Sequence, residues 1–191
     1  MEKALTNLFK AYELDPRSSL LAAELGTTYR VMRNYSEAER YHTRAITLAP
    51  DIFLLYYWKV EALLAATGDV SKARGVVDAA LQIGAASILE IPGRIPFVRA
   101  RLDFLEGDYR AALAQLAPAP ALLLDGQWSY LSRAQMVAQI YARMGQGALA
   151  RTAYDSARIM IEAQLQEDSA DSRYHSALGL VYAGLGRREE A

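Results

Sequence analysis

The chain has 191 residues, 52% of them hydrophobic, with a formal net charge of −1 and no cysteine. Its Lys and Arg residues are dispersed, which argues against nucleic acid as a partner, because phosphate binding draws on concentrated positive charge. The missing cysteines exclude disulfides, thiol catalysis and thiolate zinc sites, and no apolar run approaches the roughly 18 residues that a membrane span requires.

Met1 to Leu14 sets Ala4, Leu8 and Ala11 on one helical face and stops at Asp15-Pro16. It reads as the second helix of a hairpin whose first helix is missing, as expected if the chain were cut from a longer protein. Lys3 and Lys10 leave no long apolar core of the kind a secretory leader carries, so the cytoplasm is the expected compartment, with the periplasm left open.

Ser19 to Pro50 is the unit that the rest of the chain repeats. Leu25-Gly26 is followed by Tyr29, a short turn at Tyr35, then Ala38, a ring at His42, Ala45, and Pro50 as the stop. Gly26 and Ala38 are small where two helix backbones must approach, Tyr29 fills the space between them, and Pro50 lacks the N–H that a continuing helix needs. Helices are predicted over Leu20–Met32 and Ser36–Leu48, then over Phe53–Ala66 and Ser71–Ile83.

The third pair is predicted over Ile95–Glu106 and Tyr109–Leu116, with Pro96 in a first turn, where its missing donor costs nothing. Ala117 to Gln127 interrupts the pattern: Pro118 and Pro120 forbid a regular helix, Asp125-Gly126 marks a turn, and Leu122–Leu124 is an apolar run expected to fold back. A fourth pair is predicted over Trp128–Met144 and Ala148 to about Gln166, the second helix overrunning because no proline stops it. Ser172–Leu185 reads as a first helix, and Arg187 to Ala191 as the first turn of its partner.

Two signals lock these segments into one phase. An alanine, a large side chain four residues on and an alanine three further recur as Ala4/Leu8/Ala11, Ala38/His42/Ala45, Ala73/Val77/Ala80, Ala112/Leu116/Ala119 and Ala150/Tyr154/Ala157. Turn glycines at Gly68, Gly107, Gly145 and Gly186 recur every 38 to 41 residues. This order and spacing is similar to the tetratricopeptide repeat (TPR), two antiparallel helices of about 34 residues in total. The resemblance implies an all-α, right-handed superhelical solenoid of helix-turn-helix hairpins, a single array over residues 1–191. Its parts are a half repeat at 1–16, repeats at 19–52, 54–87, 93–120 and 128–167, and a truncated repeat at 172–191. The stretch from Phe104 through Arg151, and the ending after it, also resemble the arrays attached to bacterial serine/threonine kinases, adenylate cyclases and TolB-type signalling proteins. That implies a regulatory fragment of a larger protein.

Chemistry finds little support. Neither a Gly-rich phosphate loop nor a His-Arg-Asp loop is present, so the chain reads as non-catalytic, with no cofactor and no metal. His42 and His175 stand where the repeat wants bulk and are expected to pack. The acid pairs Glu37 with Glu39 and Glu189 with Glu190 read as solvated faces.

A binding surface is the stronger reading. In stacked hairpins the first helices line a concave side. Projection gives Leu20, Ala23, Thr27 and Arg30; Leu55, Trp58, Ala62 and Ala65; Arg94, Phe97, Arg101 and Phe104; Ser132, Gln135, Gln139 and Arg143; and Arg173, Ser176 and Leu180. The candidate contacts are Arg30, Trp58, Phe97, Arg101, Phe104, Gln139 and Arg143, an apolar centre flanked by arginines. Such a surface suits a protein or peptide with an apolar anchor and a carboxylate. Packing of Trp58 and Phe97 against neighbouring hairpins is the competing reading. TPR domains that hold chaperone tails resemble one another in a clamp of Lys, Asn and Arg, whereas Ala23, Thr27, Lys59 and Ala62 stand here, which argues against that ligand. Two alternatives remain: a small-molecule sensor, and self-association through uncovered faces around Leu5, Phe9 and Tyr12 and around Val181 and Leu185.

Overall fold

The computed structural model describes residues 2–85, 93–126, 129–187 and 189–191. The chain divides into two compact units, Met1–Glu90 and Ile91–Ala191.

The first unit is a run of helices: α1 (Glu2–Leu14), α2 (Ser19–Val31), α3 (Tyr35–Leu48), α4 (Phe53–Thr67) and α5 (Val70–Gln82). Each packs against the next, and α2 also meets α4, so the first helices of successive hairpins touch. Polar residues set the starts by accepting the backbone N–H groups that a first turn leaves unpaired. Ser18 accepts from Leu21 N, Asn34 from Glu37 N and Asp69 from Lys72 N.

Two of the ends follow from left-handed residues. Gly68 closes α4 at φ 67°. After α2 the same role falls to Arg33, at φ 60°. The core is built from small residues, with Ala22, Ala23 and Ala45 fully buried beside Leu55. Towards α1 the rings of Phe9, Tyr12, Tyr29 and Tyr41 interlock, three contacts edge-on and Tyr29 stacked on Tyr41 at 5.6 Å.

The second unit contains α6 (Arg94–Glu106), α7 (Tyr109–Leu116), β1 (Leu122–Gly126), β2 (Ser129–Ser132), α8 (Arg133–Arg143), α9 (Gly147–Glu167) and α10 (Ser172–Leu185). Pro96 lies in the first turn of α6, as expected, and α9 runs to Glu167. Four of the alanine triads are buried: Ala38/His42/Ala45, Ala73/Val77/Ala80, Ala112/Leu116/Ala119 and Ala150/Tyr154/Ala157. Ala4 of the first triad is exposed. Val181 is fully buried and Leu185 packs against the core of this unit, so the face around them is covered, against the expectation of bare apolar surface there.

One element departs from the helical reading. The helix expected from Trp128 begins instead at Arg133, and Ser129–Ser132 is a strand paired antiparallel with Leu122–Gly126. Trp128 itself lies outside the described residues. The register runs Leu124 to Leu131, Asp125 to Tyr130 and Gly126 to Ser129, with an irregularity between Leu122 and Leu124. The strand wins because Leu123 and Leu124 bury themselves on the helices, and Ser132 then accepts from Gln135 N to start α8.

Candidate functional site

Three residues of α6 share one face, Phe97, Arg101 and Phe104, separated by four and three positions as helical geometry demands. Met136, Gln139 and Arg143 do the same on α8. Between these faces, with Leu131 of β2 as a further wall, lies a cavity of about 290 Å³ lined by Phe97, Arg101, Phe104, Leu131, Met136 and Gln139. Leu105 completes the rim.

The polar groups are held by the rings. The Arg101 guanidinium carbon lies 5.9 Å from the centre of the Phe97 ring, and that of Arg143 lies 6.0 Å from the centre of Phe104. Phe104 is braced in turn by Tyr109 of α7, with ring centres 5.6 Å apart. A guanidinium over an aromatic face can present its N–H edge to a carboxylate while losing little solvation. Among the described lining residues Arg101 carries the charge and none is a carboxylate.

Five of the candidate contacts therefore come together: Phe97, Arg101, Phe104 and Gln139 line the hollow, and Arg143 sits over one of its rings. The remaining two belong to the first unit. Trp58 is half-buried on α4 and packs against Ala22, Ala23, Ala45 and Leu55. Arg30 is half-buried on α2, and its charge acts on His42.

The wider projection is too generous. Ala23, Leu55, Ala62, Arg94, Phe97, Ser132 and Gln135 are buried, because a 3.6-residue period does not distinguish the exposed edge of a helix from the edge that meets its neighbour; Phe97 therefore packs in the core of its unit as well as forming a wall of the hollow. The projection also omits Leu131 and Met136. Met136 lies one helical step from Gln139 and is accessible to the same periodicity; Leu131 is not, since its strand reads as helix. A second hollow of about 350 Å³ lies in the first unit, where Tyr56, Lys59 and Leu63 of α4 meet Glu39 and Val76; Trp58 is not among its lining residues.

The histidines behave differently from each other. His42 is fully buried, with neither ring nitrogen hydrogen-bonded, and burial followed by the charges of Arg30 and Lys59 pushes its pKa down to about 4. It packs, as expected. His175 is exposed and does not pack; its Nε2 meets the Ser169 carbonyl at 2.8 Å, so it donates there and ties the α9–α10 turn. Among the described residues no cluster of His, Asp and Glu is arranged to hold a metal ion, and no helix is long and apolar enough to cross a membrane.

No protein-family model matches the sequence, and no curated protein matches it. Solved structures do resemble the chain. YrrB, a TPR protein with an unusual peptide-binding site, is 15% identical with a TM-score of 0.55, over 96% of this chain and 86% of that one. TTC0263, a thermophilic TPR protein of Thermus thermophilus, is 22% identical with a TM-score of 0.64, over 93% of this chain and 90% of that one. Yeast Tom70 is 16% identical with a TM-score of 0.59; the match spans all of this chain and 37% of Tom70. Paired helices, buried alanine triads and these likenesses together give the chain the all-α, helical-solenoid fold of the tetratricopeptide-repeat proteins.

Proposed function

We propose that the chain is a non-catalytic protein-interaction module whose second unit grips a partner peptide in the α6–α8 cavity. One observation carries the reading: Phe97, Arg101, Phe104 and Gln139, separated in sequence, converge on one hollow with Arg143 beside it. Apolar walls with a guanidinium and an amide as polar handles suit a peptide segment that offers an apolar side chain and a carboxylate. That YrrB carries a peptide-binding site on a similar fold supports the reading by analogy. Trp58 enters it as a packing residue. A regulatory role within a larger bacterial signalling protein, implied by the narrower sequence resemblance, belongs to the same proposal.

The test is a random peptide library displayed with free C-termini and panned on the whole chain. Enriched peptides are expected to carry an acidic group next to an apolar residue, and to lose at least tenfold in affinity for Arg101→Ala and Phe104→Ala, since a charge-assisted pair is worth about 1.5–3 kcal/mol. Peptides that bind both variants as tightly as the unmutated chain overturn the site.

A further inference from the structure

Two rings in this chain stand where a glycine leaves out its β-carbon. In the first unit the imidazole of His42 on α3 fills that space beside Gly26 of α2, and in the second the phenol of Tyr154 on α9 fills it beside Gly184 of α10. Each ring is the large middle member of a buried alanine triad, Ala38/His42/Ala45 and Ala150/Tyr154/Ala157, so the same joint closes a helix pair in each unit. The rings differ in chemistry. Between pH 7 and pH 4 a phenol stays neutral, the more so because burial raises the pKa of Tyr154, whereas an imidazole can take up a proton. Val77 and Leu116 hold the middle place in two other buried triads and do not titrate at all.

The His42 site is built for the neutral ring alone. The side chain is fully buried and neither Nδ1 nor Nε2 has a hydrogen-bond partner, so a second N–H would point at nothing that accepts it. The charges that act on the ring are both positive, Arg30 on α2 and Lys59 on α4. Among the described residues, none of the acids on the helices packed around it, Glu24 of α2, Glu37 and Glu39 of α3 and Glu61 of α4, acts on it. We propose that the Gly26–His42 contact is an acid-opened joint: protonation of His42 separates α2 from α3 and loosens the first unit, while the Gly184–Tyr154 contact keeps the second unit closed. An imidazolium here lacks water, and water reaches the ring when α2 lifts from α3. Opening uncovers the interlocked rings beside it, since Tyr29 belongs to α2 and stacks on Tyr41 of α3.

Hydrogen exchange of the whole chain, read by mass spectrometry as protection factors at pH 7.5 and pH 5, tests it. Protection over Ser19–Leu48 is expected to fall about tenfold or more between the two, because opening returns His42 from a pKa of about 4 to its ordinary 6.5, while protection over Gly147–Leu185 holds. His42→Phe puts a non-titrating ring in the slot, as Tyr154 does, and is expected to keep protection at both pH values in both units. If His42→Phe does not fold, His42→Leu carries the same comparison, as Leu116 fills that slot in α7. Equal losses in the two units overturn the joint, as does a loss over Ser19–Leu48 that is just as large in the variant. Protection over Ser19–Leu48 that is the same at both pH values in the unmutated chain overturns it as well.

Discussion

The imidazole of His42 fills the space left by the missing β-carbon of Gly26. A methyl group built on Gly26 would stand 2.7 Å from both Cε1 and Nδ1 of that ring, well inside van der Waals contact. The ring is fully buried, so it has no solvent to move into. Gly26→Ala is therefore expected to destabilise the first unit by about 1–3 kcal/mol, the usual cost of overfilling a packed interior. Urea unfolding followed by circular dichroism checks it; an unchanged midpoint shows that the helices separate freely.

Burial also makes stability depend on pH. The His42 pKa is lowered from 6.5 to about 4 in the fold, so between those values the unfolded chain binds the proton and the folded chain does not. Stability therefore falls as pH drops from about 6.5 towards 4, by up to about 3 kcal/mol, and is flat in this respect at higher pH. His42→Phe is expected to remove that slope. A thermal-melt series from pH 7.5 to 4 on both proteins is the measurement, and parallel curves refute the assignment.

Arg33 occupies a turn position that glycine fills elsewhere. Met32-Arg33-Asn34 matches Met144-Gly145-Gln146 bond for bond: the middle residue donates to the carbonyl three residues back and the last to the carbonyl five back, in both turns. Arg33 holds φ 60° and Gly145 φ 72°. A side chain in this region costs roughly 1–2 kcal/mol, partly offset by the greater freedom glycine has when unfolded. Arg33→Gly is expected to stabilise the protein by up to about 1 kcal/mol, seen as a higher thermal midpoint.

At Gly93 the neighbour is backbone. A β-carbon there meets the Leu122 carbonyl and the Leu123 Cα, neither of which can rotate aside. Gly93→Ala is expected to loosen the β1–β2 ribbon while leaving α9 and α10 helical. Hydrogen exchange reads this directly, as faster exchange at Leu124 and Leu131 than in the unmutated chain.

The helices are legible in the sequence because their signals are local and redundant. Ala73, Val77 and Ala80 lie on one face by spacing alone, and the glycines mark the turns. The ribbon is not, for a physical reason. Ser129 to Ser132 runs into a good helix, and what makes it a strand is the burial of Leu123 and Leu124 with the close approach of Gly93, contacts made far along the chain. Periodicity yields the candidate site in part: it finds the faces of Phe97, Arg101 and Phe104 and of Gln139 and Arg143, but not the wall at Leu131. It also fails to separate Trp58, packed on its own unit, from residues that meet a hollow.

The ribbon changes how the second unit comes apart. In a plain stack each hairpin touches only its neighbours, so ends fray one repeat at a time and the middle outlasts them. Here Tyr130 joins β2 to α10 while Gly93 joins β1 to α6, tying the first and last helices of the unit to a common strand pair. Losing α10 removes a support of the strands, and losing the strands uncovers α6. The second unit is therefore expected to lose its last structure more nearly in one step than an uninterrupted series of hairpins, which would unzip from its ends.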